Sequence, residues 1–197
     1  MSELQAEIAI ATARLIADEG LSWGAAKHRA LKELGLPPRT ALPSNDEVED
    51  ALREHLALFQ ADTQPAELRA LRETAMRWMD RLADFDPQLT GAAWRGTANH
   101  FSDLHLLLYS DDPKAPEIAL INAGLSPDPG AQERDERGLP LTTLALLLPC
   151  PALKQQVGLH ITIHGSHARR GSLLPDARGL SLRGDRAALR ALLESTP

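Results

Sequence analysis

The chain has 197 residues, of which 43% are hydrophobic and 24% charged, with one cysteine and a formal net charge of −6. This composition predicts a globular protein of one or two small domains without an internal disulfide, and the excess of acids argues against a double-stranded nucleic-acid partner. No apolar run approaches the ~20 residues that cross a bilayer, and no leader segment is recognisable, so we expect a cytoplasmic protein with no membrane partner.

Residues 1–86 repeat apolar side chains at helical spacing and predict an N-terminal helical bundle. Glycines and short polar residues mark where these helices begin and end. The predicted helices are Leu4–Glu19, Ser22–Leu34, a third that begins at Ser44 or Asn45 and passes Phe59, and a fourth that passes Leu68 and Leu82 to end near Asp84.

Residues 87–197 change pattern and predict a second domain of α+β type, in which helices flank a small mixed sheet. The acidic and proline-containing segment Ser126–Gly138 is interpreted as a mobile insertion. The predicted elements are strands at Leu104–Tyr109, Leu141–Leu148 and Val157–His164, a helix at Pro113–Gly124 and a last helix capped by Asp185.

One segment carries functional information, the stretch from Gly91 to Leu106. It combines Gly91, the run Arg95-Gly96-Thr97-Ala98 and the pair Ser102-Asp103, followed by an apolar strand. This order and spacing resembles the signature of nucleotidyltransferases of the DNA polymerase beta superfamily, in particular small bacterial ones related to kanamycin nucleotidyltransferase. A Gly-Thr turn with Asp103 as a simple capping residue is the alternative interpretation.

The resemblance implies a site and a reaction. It implies that a nucleoside triphosphate is the substrate, that divalent Mg²⁺ or Mn²⁺ is the cofactor, and that a nucleotidyl group passes to a hydroxyl acceptor on a small molecule, protein or RNA. Asp103 and position 105 lie two residues apart on one strand face and would be the catalytic, metal-binding pair. The residues implied in nucleotide binding are Gly91, Ala92, Arg95, Gly96, Thr97 and Ser102.

The chain departs from the family pattern at two positions, where Ala92 replaces a serine and His105 replaces the second carboxylate. The later strands contain no acid, although Asp128, Asp135 or Glu136 of the 126–138 segment would supply one. Two functions therefore stay open. One is a nucleotidyltransferase-like enzyme, and the other is a catalytically degenerate fold that serves as a binding or protein-interaction module.

Histidines and arginines add two hypotheses. Strand alternation places His160 and His164 on one face, where they would join Asp103 and His105 in a site better suited to Zn²⁺ than to Mg²⁺. The basic segment His167–Ser172, followed by further arginines, is either a phosphate clamp or a solvated loop. Arg169 and Arg170 lie within this segment, and Arg178, Arg183 and Arg186 follow it.

Overall fold

The computed structural model describes residues 2–135, 138–176 and 178–195. In chain order the described residues form α1 Glu3–Glu19, α2 Trp23–Glu33, α3 Asn45–Phe59, α4 Gln64–Arg81, β1 Gln88–Thr90, α5 Gly91–Arg95, β2 Leu104–Tyr109, α6 Ala115–Asn122, β3 Asp128–Pro129, β4 Glu133–Arg134, β5 Pro140–Cys150, β6 Gln155–His164, β7 Arg183–Gly184 and α7 Arg186–Ser195.

The first compact unit comprises the chain through Ala66 together with Asn99–Phe101. Its helices begin and end where the sequence predicts. Ser44 caps α3 in a capping box with Glu47, and Gly20 ends α1 in the left-handed conformation at φ 66°. Helix α1 contributes to two small apolar clusters, which contain Ile8, Leu15, Ala26, Ala30 and Leu31 in one and Ala13, Ala17, Leu52 and Leu56 in the other.

The second unit, Glu67–Ala98 and Ser102 onward, holds the sheet. The strand order is β3-β5-β6-β2-β1-β7, and β4 pairs with β5 off this path. Strands β2 and β6 run parallel, whereas the other pairings are antiparallel. The sheet is therefore mixed, and its two central strands end at the same edge.

One face of this sheet is apolar and the other is polar. Leu104, Leu106 and Leu108 of β2 are buried in the core of the second unit. Residues of α4 and α7, including Leu71, Met79 and Leu189, belong to the same core. The alternate residues of β2 and β6 lie on the opposite face, which we call the polar face; they include His105, Tyr109, His160, Thr162 and His164.

The α+β class and the order of helical segment before sheet are confirmed. The compact units divide after Ala66, so most of α4 belongs to the sheet unit and the division differs from the predicted domain boundary at 86/87. The 126–138 segment, interpreted as a mobile insertion, contributes the short strands β3 and β4, which pair with β5. Among the described residues, no helix is long and apolar enough to cross a membrane.

Candidate functional site

The structure brings three of the predicted site residues together at the start of β2. Asp103 precedes this strand, and its Oδ1 accepts a hydrogen bond from the Gly158 backbone N–H at 2.9 Å. Its Oδ2 lies 3.1 Å from Nε2 of His160. The register of β2 and β6 places His105 opposite His160, with ring centroids 5.0 Å apart. We call Asp103, His105, Gly158 and His160 the Asp103 cluster.

The close approach of Asp103 to β6 depends on the absence of a side chain at Gly158. A Cβ at that position would lie 2.6 Å from both Cγ and Oδ1 of Asp103. Sequence analysis did not single out Gly158. Its signal is an isolated glycine inside a predicted strand, which is typical of a place where another group approaches the backbone closely.

The pKa of the His105 imidazole is changed by its surroundings. Desolvation lowers the pKa of His105, and the nearby His160 lowers it further, whereas Asp103 and Glu133 raise it. The rings stack with an interplanar angle of 19°. At neutral pH His105 is therefore an uncharged imidazole that can donate one hydrogen bond and accept one.

The glycine turns of the Gly91–Leu106 motif differ in what they offer a ligand. Gly91 joins β1 to α5 at φ 71°, and a Cβ there would lie 3.4 Å from Cδ2 of His105. Gly96 ends α5 at φ 85°, and the N–H groups of Gly96 and Thr97 both donate to the Ala92 carbonyl. Gly91 therefore lies beside the Asp103 cluster, whereas the two amides at Gly96 and Thr97 are already used.

Helix α5 accepts hydrogen bonds from a buried arginine that sequence analysis did not single out. Arg72 of α4 donates from Nε to the Ala93 carbonyl at 2.9 Å and from Nη2 to the Trp94 carbonyl at 3.2 Å. Desolvation lowers the pKa of this guanidinium. Because these carbonyls are near the negative end of the α5 dipole, the cation fixes the helix that carries Ala92 and Arg95.

The other predicted histidine and the loop acids lie elsewhere. His164 lies opposite Tyr109, four residues beyond His160, which is about 13 Å along a strand. Asp128 pairs with Ala145, two strands from His160, or about 10 Å across the sheet. Glu133, which was not singled out, reaches the polar face, where its Oε2 accepts from Thr162 Oγ1 at 3.0 Å. Glu136 lies outside the described residues.

The cluster does not fit the metal centre that the resemblance implies. Such a centre needs several carboxylate oxygens, whereas Asp103 is the one carboxylate of the cluster and both its oxygens are engaged. Stacked imidazoles also present their ring nitrogens along nearly parallel planes, which does not suit a single Zn²⁺. Among the described residues, no three His, Cys, Asp or Glu side chains are grouped so as to hold a metal ion.

The predicted basic segment separates into different environments. Arg169 pairs with Asp86 at 2.8 Å, and Arg186 lies 3.4 Å from Asp80, both at exposed positions. Arg170 and Arg183 instead line a cavity at the opposite end of the polar face from Asp103, together with His164. These arginines therefore do not all join in the one phosphate clamp that the sequence hypothesis describes.

Comparison with protein-family models gives no match to this chain, and none of the curated proteins matches it. The likeness to nucleotidyltransferases therefore rests on the Gly91–Leu106 segment alone.

Proposed function

We propose that this chain is a nucleotidyltransferase-like protein that binds a nucleoside triphosphate at the Asp103 cluster without the paired carboxylates on which transfer depends in that family. The observation that carries the proposal concerns Asp103 and residue 105, the two positions at which the family has its metal-binding carboxylates. Asp103 is committed to Gly158 and His160, and position 105 is an imidazole. The proposal is binding, and it includes no nucleotidyl transfer.

The cluster has donors for phosphate oxygens. The His105 ring can donate one N–H to a phosphate oxygen, and His160, whose Nε2 is held by Asp103, can donate from Nδ1 when both of its ring nitrogens are protonated. Gly91 leaves the space beside His105 free of a side chain. About half of the Asp103 and two fifths of the His160 side-chain surface is exposed, at 48% and 39%, so a ligand can reach both groups. We expect this binding to take place in the cytoplasm.

The test uses a change for which the metal-dependent and metal-free alternatives predict opposite results. In a metal site, Asp103→Asn removes a ligand and abolishes triphosphate binding. In the proposed site the same change removes a negative charge next to the phosphates, so affinity rises several-fold, as expected for a unit charge worth about 1 kcal/mol at 4 Å in water and more near protein. Calorimetric titration with each nucleoside triphosphate, in chelator and then in Mg²⁺, measures the difference.

His160→Gln should weaken the same binding about tenfold, since a charge-assisted hydrogen bond contributes about 1.5–3 kcal/mol. The matched control is Asp62→Asn, an exposed change of the same charge in the first unit. Absence of triphosphate binding under every condition contradicts the proposal. Binding that requires Mg²⁺ and disappears in Asp103→Asn would return the chain to the metal-dependent enzyme class.

A further inference from the structure

A cavity of about 450 Å³ lies where the parallel strands β2 and β6 end, away from the Gly91–Leu106 motif. Its lining includes Tyr109 and His164, the last residues of the two strands. Open α/β sheets bind ligands in the crevice outside the carboxyl ends of parallel strands, and this cavity has that position. Its volume lies within the usual range for small-molecule sites. We call it the arginine pocket.

The charges around the arginine pocket favour an anion. The described part of its lining contains three arginines, Arg134, Arg170 and Arg183, against one carboxylate, Asp135. The Asp135 side chain accepts from the Leu139 backbone N–H at 2.8 Å, and Arg134 donates to the Gly138 carbonyl at 2.6 Å. Arg170 and Arg183 are therefore the two guanidinium groups from which a ligand would gain most.

Arg183 provides the strongest indication of a ligand. Its Nε is buried and has no hydrogen-bond partner among the described residues. A buried donor without an acceptor costs about 1–3 kcal/mol, and more when the group is charged. An oxyanion bound in the arginine pocket would pair with the guanidinium of Arg183, which lines the pocket, and this planar group suits two phosphate oxygens at once.

One of the two histidines that line the pocket, His164, has the properties of a neutral donor. Desolvation lowers the pKa of His164 and Arg183 lowers it further, whereas Glu133 and Asp135 raise it. At neutral pH its imidazole therefore adds a hydrogen-bonding group beside the arginines without a further positive charge.

We infer that the arginine pocket binds a small molecule that carries a phosphate group. This site is separate from the Asp103 cluster, because Tyr109 lies six residues beyond Asp103, or about 20 Å along an extended chain. The inference does not rest on the proposed function. Each can fail while the other stands.

The test compares two neighbouring arginines. Arg170 is exposed and lines the pocket, whereas Arg169 is exposed and pairs with Asp86 outside it. Calorimetric titration of the whole chain with inorganic phosphate and with pyrophosphate, at low ionic strength, should give saturable binding. Arg170→Gln should weaken it about tenfold, the loss expected for one charge-assisted hydrogen bond, and Arg169→Gln should leave it unchanged. Because both positions are exposed, neither change threatens the fold.

Asp62→Asn, an exposed change in the first unit, serves as the second control and should leave phosphate binding in the pocket unchanged. Arg183→Gln should weaken binding at least as much as Arg170→Gln, with folding verified by circular dichroism. No saturable binding of either probe overturns the inference. Equal losses in the Arg169 and Arg170 variants also overturn it, because they would show unspecific attraction. Tighter binding of citrate than of pyrophosphate would overturn the assignment of phosphate.

Discussion

The two ends of the polar face differ in how their charged groups are satisfied. At the amino end of β2, Asp103 has two partners supplied by β6, and the His105 and His160 rings stack on each other. At the carboxyl end, Arg183 has a buried Nε without a partner among the described residues, and Arg170 faces the same cavity. The polar groups at the amino end, which the Gly91–Leu106 motif marks, therefore have more of their hydrogen bonds formed.

This difference indicates that a sequence motif and an available binding site need not coincide. A carboxylate that is already paired gives a ligand less to gain, because each new hydrogen bond replaces an existing one. A buried donor without a partner gains the whole interaction. Two glycines of the sheet unit lie against other side chains, Gly184 against Trp94 and Gly158 against Asp103, and changing each one tests how rigidly its neighbour is held.

Gly184→Ala in β7 should have the largest effect. A Cβ there would lie 2.0 Å from Cη2 of Trp94, and that ring is held by its Nε1 donating to the Ser181 carbonyl at 2.9 Å. Because the ring is fixed, the clash must move the backbone of β7, so the free energy of unfolding should fall by about 3 kcal/mol. Urea denaturation measures this loss.

Gly24→Ala provides the control for the Gly184 change. Gly24 lies in α2, and a Cβ there would meet nothing within 4 Å. Because Gly24 lies in the first turn of α2, alanine there should raise the free energy of unfolding by at most the ~0.5–1 kcal/mol expected in a helix interior. If Gly184→Ala were as stable as the wild type, the packing described for Trp94 and β7 would be wrong.

Gly158→Ala at the amino end should cost less, although the new Cβ would lie only 2.6 Å from the Asp103 carboxyl. Asp103 is a half-exposed side chain that can rotate into solvent. We therefore expect a loss of about 1 kcal/mol, the value of the displaced hydrogen bond, together with separation of Asp103 from His160. The NMR chemical shifts of the His160 ring report this separation. A loss equal to that of Gly184→Ala would contradict the difference between a mobile carboxylate and a fixed ring.

Much of the fold could be predicted because its signals are local. The capping pair Ser44 and Glu47 and the left-handed Gly20 mark helix ends within one turn of chain. Strand β6 shows its alternation directly, with Ile161 and Ile163 buried between His160 and His164. Strands β3, β4 and β7 have two residues each, which is too short for any period to be visible.

The candidate sites were harder to predict because they join distant parts of the chain. The resemblance pointed to Asp103 and His105, but the partners of Asp103 are Gly158 and His160, on a strand more than fifty residues later. The arginine pocket combines β2, β4, β6, β7 and the segment after β6. Which arginines of a basic segment turn inward depends on such pairings, and spacing along the sequence does not encode them.

The smallest effect we predict concerns pH and one histidine from each end. The pKa values of His105 and His164 are both lower in the folded protein than the ordinary value of 6.5. Below about pH 6.5 the unfolded chain therefore binds more protons than the folded one, so the free energy of unfolding should fall as the pH decreases through that range. Above it both histidines are neutral in either state and contribute nothing to the slope.

His105→Gln and His164→Gln should each flatten the decline measured by denaturation between pH 7 and pH 5, a range set about that ordinary value. His28→Gln, at an exposed position of α2, controls for the loss of a histidine as such. A steeper decline in either variant would mean that the histidine is held charged in the folded state, which would reverse the electrostatic description of that end of the sheet.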